Sequence, residues 1–380
     1  MKTIASIPQS QDVNGGRLQS LDALRGFDML FIMGLATLVV KLCVWLGWGE
    51  TCWLAQQMEH VDWHGLAHHD TIFPLFLFIA GISFPFSFAK QRERGLSLLS
   101  IRLRCLRRGV LLFLLGLVYG GFLRDFGALR LSSVLARIGL AWMLAALAYT
   151  ALHVRGRMVM SVILLVGYWI LTFMWGAPDH PAASCLTPEG NLSCWIDRTF
   201  LFLKKGQLYD NQTTLGLFPA VVTAWLGMFA GDIVRNPCWS GNRKSVLLLI
   251  SAVVSLGVGL LIAKCFGSYS FPINKKLWSP SFVLVVGSYS FAIFALFYWL
   301  IDVKRCWRRT LFFRVIGLNS ITIYLAQPIL GFSSINRFFF GGLAGCLPSA
   351  AGAVLQGATY VALCWVFLYF LYRKNVFLKV

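Results

Sequence analysis

Charged residues are scarce in this chain, and acidic ones are the scarcest. Its 380 residues include 15 Asp and Glu against 34 Lys and Arg, so charged residues make up 13% of the chain, whereas soluble globular proteins carry about 25%. The ten cysteines contain no C-x-x-C pair, which excludes the common zinc and redox motifs. The first twenty residues also lack the charged start and apolar core of a cleavable signal peptide.

Long apolar segments fill most of the remaining sequence. The chain is 58% hydrophobic with a mean hydropathy of +0.70, and apolar windows of about 20 residues, the length that crosses a bilayer, recur along it. We therefore predict an all-α polytopic membrane protein with about ten transmembrane helices. The predicted spans are 22–46, 71–89, 108–123, 134–152, 158–175, 215–234, 246–265, 282–301, 311–330 and 352–372. Residues 1–20 form a predicted cytoplasmic tail and 21–380 one transmembrane domain.

Basic residues are unevenly distributed between the predicted loops. With the N-terminus inside, the inner segments hold more than twice as many Lys and Arg as the outer segments. Cytoplasmic loops carry this excess, so both termini are predicted to be cytoplasmic. The outer loops are then 47–70, 176–214, 265–281 and 331–351. The same distribution accounts for the net charge of +19 without a nucleic-acid partner.

Four of the six histidines lie in one outer segment, MEHVDWHGLAHHDTIF. His60, His64 and His68 have the spacing of zinc ligands on a helix, but Gly65 interrupts the register and no cysteine partner or H-E-x-x-H motif is present. We therefore predict no metal. His68 and His69 are interpreted as solvated loop residues.

His60 is the predicted catalytic residue of this segment. A neutral imidazole can accept and return a proton near pH 7 or act as a nucleophile. Glu59, Asp62 or Asp70 could hold one ring nitrogen and so present the other. Asp70, at the start of the second span, would also suit a helix N-cap.

Charged side chains occur inside the first predicted span, where each costs about 2.5–3.5 kcal/mol at the membrane centre. In SLDALRGFDML, Asp22, Arg25 and Asp28 lie near one helical face. They form either an ion-paired anchor or a site where Arg25 meets an anionic ligand from the cytoplasm and the aspartates orient it.

Other polar residues at membrane depth predict a polar cavity in the bundle. Arg137 lies in the fourth span, and Arg314 and Asn319 lie in the ninth. Contacts between helices would also explain Asn319. The pair Gly227 and Gly231 has a spacing that lets helices approach closely; such pairs permit a homodimer and serve internal packing equally well.

Six stretches form a recognisable series along the chain: RLQSLDALRGFDM, HVDWHGLAHHDTIFPLFLFIAGIS, VLARIGLAW, FPINKKLWSPSFVL, GLNSITIY and YRKNVFLKV. The most specific pattern is H-x-x-W-x-G-L-x-x-x-D-x-x-F-P, which begins at His60. In these stretches the chain resembles the transmembrane heparan-α-glucosaminide N-acetyltransferases, the lysosomal enzyme of heparan sulfate breakdown and its bacterial relatives. The resemblance runs from Leu18 to Val380.

The resemblance implies transfer of acetyl from cytosolic acetyl-CoA, across the membrane, to the amine of a terminal glucosamine. The family's active-site histidine falls on His60, its following aspartate on Asp70, and two of its asparagines on Asn274 and Asn319. Where the family often has D-P-E-G, this chain has Asp210-Asn211-Gln212-Thr213. Gln212 can donate and accept hydrogen bonds but cannot titrate, so the acceptor sugar stays open.

The predicted site therefore has three groups of residues. The catalytic pair is His60 and Asp70. Residues predicted to bind the acceptor sugar are Trp63, His64, Asn274, Trp278, Asp210 and Gln212. Residues predicted to bind acetyl-CoA are Arg25, Asp28, Arg107, Arg108, Arg137, Arg314 and Asn319.

Two other functions fit the same features. An O-acyltransferase of a cell-envelope polysaccharide would use a similar histidine and the same donor. A sugar transporter would also have a polar interior, although no internal repeat with matched broken helices is apparent. We expect a location in a bacterial inner membrane with His60 near the periplasmic side.

Overall fold

A computed structural model describes residues 18–121, 133–201, 207–306 and 310–378. Most of the predicted tail, the end of the predicted third span and part of the loop 176–214 lie outside the described residues. The helices are α1 Gln19–Leu30, α2 Ala36–Trp45, α3 Trp53–Gln56, α4 His68–Glu93, α5 Leu98–Tyr119, α6 Val134–Ala151, α7 Val154–Met174, α8 Leu192–Phe200, α9 Leu217–Arg235, α10 Gly241–Lys264, α11 Pro280–Phe297, α12 Leu311–Leu318, α13 Ser320–Leu330, α14 Phe332–Gly345 and α15 Ser349–Arg373.

The described part of the chain confirms an all-α polytopic membrane protein. It contains eight helical segments long and apolar enough to cross a bilayer, or nine if the bent pair α12 and α13 counts as one span. The predicted third span corresponds to α5, which does not qualify, because arginines occupy its first half. However, α5 packs along α6, and its last residue reaches the same cavity as His60. The count of ten and the orientation of the termini stay predictions.

Small residues let the central helices pack closely. A Cβ atom at Gly227 would collide with the backbone carbonyl of Phe78, and one at Gly231 would collide with that of Ile82. The predicted close approach at this glycine pair is therefore confirmed, and it joins α9 to α4. Gly26 and Gly317 bring α1 and α12 together in the same way.

Two of the long helices are interrupted beside the interior cavities described below. A π-helical segment, Phe31–Leu35, joins α1 to α2, and Gly34 within it has a φ of +132° that favours glycine. The predicted ninth span is bent by 71° between α12 and α13, where Asn319 leaves helical geometry. Backbone outside regular helix is tolerated at membrane depth mainly where it is buried or lines a cavity.

The predicted outer loops contain short helices of their own. The loop 47–70 includes α3, and the second long helix, α4, begins at His68 rather than at residue 71. The segment 331–351 is mostly helical, because α14 and the start of α15 occupy it. Gly331 adopts the left-handed conformation that separates α13 from α14.

Candidate active site

His60, Asp70 and Lys275 form a compact polar group. The Nδ1 atom of His60 lies 2.8 Å from Oδ1 of Asp70. The Nζ atom of Lys275 lies 3.1 Å from the same carboxylate oxygen and 3.1 Å from Nδ1 of His60. The His60 side chain is 49% exposed, whereas that of Asp70 is 2% exposed. The imidazole of His60 is therefore accessible, and its Nδ1 atom contacts the buried ion pair of Asp70 and Lys275.

The start of α4 fixes the position of Asp70. Its second carboxylate oxygen, Oδ2, accepts the backbone N–H groups of Val61 and Ala67 at 3.3 and 3.2 Å. Asp70 is therefore not itself the N-cap residue, the alternative role that the sequence allows for it. It is the third helical residue and reaches back to the N-cap residue Ala67, as an acidic residue does in a capping box.

Lys275 reaches this group from a distant part of the chain. Its segment is joined to the histidine segment by the hydrogen bond from the Gly65 N–H to the Ile273 carbonyl, 2.8 Å long. Burial lowers the pKa of the Lys275 ammonium, and the carboxylate of Asp70 opposes that change. The positive charge beside Asp70 favours the ionised carboxylate.

This arrangement has a direct consequence for the imidazole of His60. Nδ1 can either donate to Asp70 or accept from Lys275, and the contact with Asp70 is the shorter, 2.8 against 3.1 Å. With the Lys275 ammonium donating to Asp70, the proton of the neutral ring is favoured on Nδ1. The Nε2 atom then carries the free lone pair. A ring oriented in this way can act through Nε2 as a base or as a nucleophile.

The aromatic and amide residues around His60 are held by contacts between the predicted outer segments. The indole N–H of Trp63 donates to the Leu186 carbonyl at 2.7 Å, and its ring lies 4.9 Å from that of Tyr209. Asn274 is fully buried and accepts the Leu277 N–H at 2.9 Å. Its amide also lies 3.4 Å from Nδ1 of His64, and burial lowers the pKa of this histidine.

His60 opens into a cavity of about 380 Å³, which we call the histidine cavity. The polar side chains on its wall come from four separate parts of the chain. They belong to His60, His69, Ser133, Asp210, Asn211, Gln212, Lys275 and Lys276. The departure from the family's D-P-E-G segment therefore lies on the same wall as the predicted catalytic histidine.

A second cavity, of about 340 Å³, lies deeper in the bundle, and we call it the arginine cavity. Arg25 and Arg108 line it together with apolar side chains that include Phe73 and Phe76. Arg25 contacts Asp22 and Ser83 at 3.4 and 3.3 Å. The guanidinium of Arg108 lies 4.3 Å from the Trp142 ring centre.

The buried Nε atom of Arg108 has no hydrogen-bond acceptor within the described ranges. An arginine in this state fits an anionic group.

The two cavities adjoin each other. Four residues, Ile32, Phe73, Val134 and Tyr324, line both of them. Along α4 the walls extend from His69 to Ser83, which at 1.5 Å per residue is about 20 Å. The ring of Tyr324 stacks on that of Tyr119 at 4.5 Å beside this junction.

Several predicted binding residues line neither cavity. Trp278 has no exposed surface and packs on Phe73, so it offers no face to a sugar in this structure. Arg137 is buried, donates a hydrogen bond to the Thr213 carbonyl and lies over Trp278. Through its hydrogen bond to Thr213, Arg137 connects α6 to the segment before α9.

The remaining predicted residues for acetyl-CoA are spread over the bundle. Asp28 is buried in α1, and Arg107 and Arg314 are exposed on α5 and α12. Asn319 stands at the break between α12 and α13, where its amide donates to the Val315 carbonyl at 3.2 Å. Their roles toward acetyl-CoA stay predictions.

Three residues of the site were missed at the sequence level. Lys275 lies within the FPINKKLW stretch, in which only the asparagine and the tryptophan are predicted to have roles. His69 was interpreted as solvated, but it is partly buried and lines the histidine cavity. Tyr324 is the last residue of the GLNSITIY stretch, in which only Asn319 is predicted to have a role. Of the three residues, only Lys275 could have been found from the sequence, because it is a lysine inside a motif that resembles the family.

Comparisons with known proteins agree with the motifs. No family model matches the chain. The chain is 26% identical to the heparan-alpha-glucosaminide N-acetyltransferase of Mus musculus, over 98% of this chain and 62% of that protein. It is also 26% identical to the Homo sapiens protein of the same name, over 96% of this chain and 60% of that protein.

The chain thus spans about three fifths of the length of these curated relatives. The similarity nevertheless includes nearly all of this chain. The region of similarity also includes the stretches that surround His60 and Lys275. The matches therefore support membership of the chain in the family of the heparan-α-glucosaminide N-acetyltransferases.

Proposed function

We propose that this protein is a transmembrane acetyltransferase. It takes acetyl from acetyl-CoA on the cytoplasmic side and transfers it to the amine of a terminal glucosamine on the other side. The observation that carries the proposal is the group of His60, Asp70 and Lys275, which lies on a cavity that adjoins the arginine cavity. The names of the two relatives support the same reaction.

The arginine cavity supplies the binding site for the donor in this proposal. Acetyl-CoA carries phosphates at one end and a thioester at the other. Arg25 and Arg108 would meet phosphate, because guanidinium pairs with phosphate through parallel N–H donors. The apolar walls near Phe73 and Phe76 would surround the connecting arm, and the thioester would reach His60 past Tyr324.

The reaction itself would take place at Nε2 of His60. The amine nitrogen forms a bond to the acetyl carbon, the bond from that carbon to sulfur breaks, and the thiolate that leaves takes a proton. Nε2 either accepts a proton from the attacking amine or first accepts the acetyl group itself. Asp70 stabilises the positive charge that the imidazole acquires in both routes.

The acceptor would enter the histidine cavity beside the segment 210–212. Asp210 would attract the ammonium form of the sugar, and Gln212 would hydrogen-bond a hydroxyl group. The rings of Trp63 and Tyr209 offer an apolar face nearby.

The decisive experiment supplies purified protein with acetyl-CoA and an oligosaccharide that ends in glucosamine. Mass analysis should find one acetyl group on the terminal amine. His60→Ala should lower turnover by about 10²–10⁴-fold, the usual range for general base catalysis. If the purified, folded variant acetylates at the wild-type rate, His60 does not have this role.

Two further arms separate the alternatives. An oligosaccharide whose terminal amine is already acetylated should remain unmodified, whereas O-acetylation of it would favour the polysaccharide O-acyltransferase. Labelled acetyl that stays on the protein when no acceptor is added would identify an acetyl-histidine intermediate. Transport of the sugar without modification would contradict the enzyme and favour a transporter.

The location belongs to the same proposal. We expect a bacterial inner membrane, with His60 facing the periplasm and both termini in the cytoplasm. A tag at the C-terminus should then be cleaved by protease only when the cytoplasmic face is accessible. Cleavage from the periplasmic side in intact cells would contradict this orientation.

A further inference from the structure

His69 is a second imidazole on the wall of the histidine cavity. Its ring centre lies 4.6 Å from that of His60, and the two ring planes are tilted by 58°. Its backbone N–H donates to the Gln57 carbonyl at 3.0 Å, which fixes the residue at the start of α4. In the proposed acetyl transfer the chemistry takes place at His60, and His69 has no role so far.

The two imidazoles differ in how their protons are held. Asp70 holds Nδ1 of His60, so that ring exchanges protons through Nε2 alone. In contrast, Nδ1 of His69 is buried and has no hydrogen-bond partner among the residues that the structure describes. The tautomer of His69 is therefore not fixed by a hydrogen bond at Nδ1, and proton exchange between this ring and the cavity takes place at Nε2.

The balance of the reaction requires two proton transfers. A glucosamine amine arrives as R–NH₃⁺ and leaves as R–NH–CO–CH₃, so its nitrogen loses two protons. One of them ends on the sulfur of CoA, because the thioester leaves as a thiol. The other is released. His60, with a single exchangeable nitrogen, can serve only one of these transfers at a time.

We propose that His69 is a catalytic base that removes the first proton from the acceptor's ammonium group. This inference rests on the proposed acetyl transfer to an amine. The neutral amine that results attacks the acetyl carbon, and His60 serves the second proton or carries the acetyl group. His69 then gives its proton to water in the cavity, so no additional reactant is needed.

The surroundings of His69 are consistent with brief rather than permanent protonation. Burial is the main factor that disfavours a lasting positive charge on the ring, followed by the neighbouring His60 and the Lys275 ammonium, whereas Asp70 favours the charge. The titratable groups that face His69 or share its cavity are His60, His68, Asp70, Lys275, Lys276, Asp210, Tyr119 and Tyr324.

The test compares His69→Gln with wild type as the pH is varied. Below the pKa of the acceptor amine, His69→Gln should reduce turnover by about 10²-fold. As the pH is raised, the difference in turnover between wild type and His69→Gln should shrink about tenfold for each pH unit. Hydroxide and water then deprotonate the ammonium group without His69. Hydroxylamine, which is neutral at pH 7, should accept acetyl from wild type and variant at rates within about twofold.

His68→Gln is the matched control. The adjacent His68 points elsewhere, with Nε2 3.2 Å from the Tyr289 hydroxyl, so its loss should leave the shape of the pH profile unchanged. Added imidazole should restore glucosamine acetylation to His69→Ala, which also guards against a variant that merely misfolds.

Three outcomes would overturn the proposal for His69 while the proposed function stands. They are a wild-type pH profile in His69→Gln, an equal loss with both acceptors at every pH, and no rescue by imidazole. If wild-type protein acetylates neither acceptor, the proposed function fails, and the role of His69 fails with it.

Discussion

The histidine cavity and the arginine cavity are neighbours with opposite characters. Around the first, charged groups are already partnered, since Asp70 lies within hydrogen-bond distance of both His60 and Lys275. Around the second, apolar walls surround Arg108, whose Nε has no acceptor within the described ranges. A partnered group is oriented for chemistry, and an unsatisfied cation is suited to bind an anion. The difference suggests that catalysis and donor binding are separated along the bundle.

Removing the charge of Asp70 gives the largest expected effect. Asp70→Asn keeps the shape and can still accept the N–H groups of Val61 and Ala67, but it no longer stabilises a charged imidazole on His60. We expect turnover to fall by about 10²–10⁴-fold with little change in the affinity for acetyl-CoA, measured by steady-state kinetics and by calorimetry.

Asp62→Asn is the control for that variant. Asp62 is exposed in the same segment, so its amide variant should retain activity. A similar loss in both variants would show that general charge near His60 matters rather than the contact with Asp70.

Arg108→Gln addresses the arginine cavity and should leave the chemical step intact. Hydrogen bonds to charged groups contribute about 1.5–3 kcal/mol, so the KM for acetyl-CoA should rise about 10–100-fold. The kcat at saturating donor should change little.

Arg107→Gln provides the comparison on the exposed side of α5 and should have a much smaller effect on the KM. A larger effect at Arg107 would mean that the phosphates bind outside the arginine cavity.

The junction between the cavities should respond to the size of residue 324. Tyr324→Trp fills part of the space shared by the two cavities, and we expect a few-fold slower acetyl transfer with unchanged donor binding. Tyr324→Phe keeps the ring and should behave as wild type. Single-turnover kinetics would measure both, and a Trp variant with the wild-type rate would exclude a donor path past this residue.

The last predicted effect is the weakest and concerns Asp197 in α8, which interacts with Asp210 on the wall of the histidine cavity. Burial raises the pKa of Asp197 to about 6, although the Thr214 N–H, 2.9 Å from its Oδ1, opposes the change. A carboxyl group whose pKa is higher in the folded state stabilises that state below its unfolded pKa. This stability is lost as the pH rises from about 4 to about 6.

Hydrogen exchange at the Thr214 amide, corrected for the intrinsic rate, should therefore show greater protection at pH 5 than at pH 7. Asp197→Asn should remove the difference. The contribution of Asp179 to stability should change with pH in the opposite direction, because its hydrogen bond to Arg198 lowers its pKa. Protection at Thr214 that falls on acidification would contradict the prediction.

Much of the fold could be predicted because it depends on local composition. Apolar windows predict membrane helices wherever they occur, and the close approach at Gly227 follows from a spacing within one helix. The third predicted span was harder, because arginines occupy the first half of α5. The 71° break at Asn319 was not predicted, since an asparagine inside an apolar segment is compatible with a straight helix.

The candidate site, like the fold, could be predicted from the sequence only in part. His60 and Asp70 are ten residues apart, and their pairing was among the alternatives that the sequence left open. Trp278 and Arg137 had the residue types of binding groups, but both are buried in the packing between helices. A residue type alone does not reveal whether a side chain faces a cavity or a neighbouring helix.

The amino-acid sequence was enough to predict a bundle of apolar helices and a candidate catalytic imidazole, His60, in a loop between two of them. The three-dimensional arrangement of the helices was needed to show that Lys275, 205 residues from Asp70, contacts it, and that His69 lines the histidine cavity. The physical reason is that hydropathy acts over a single helical segment, whereas an ion pair depends on which segments the whole bundle brings together.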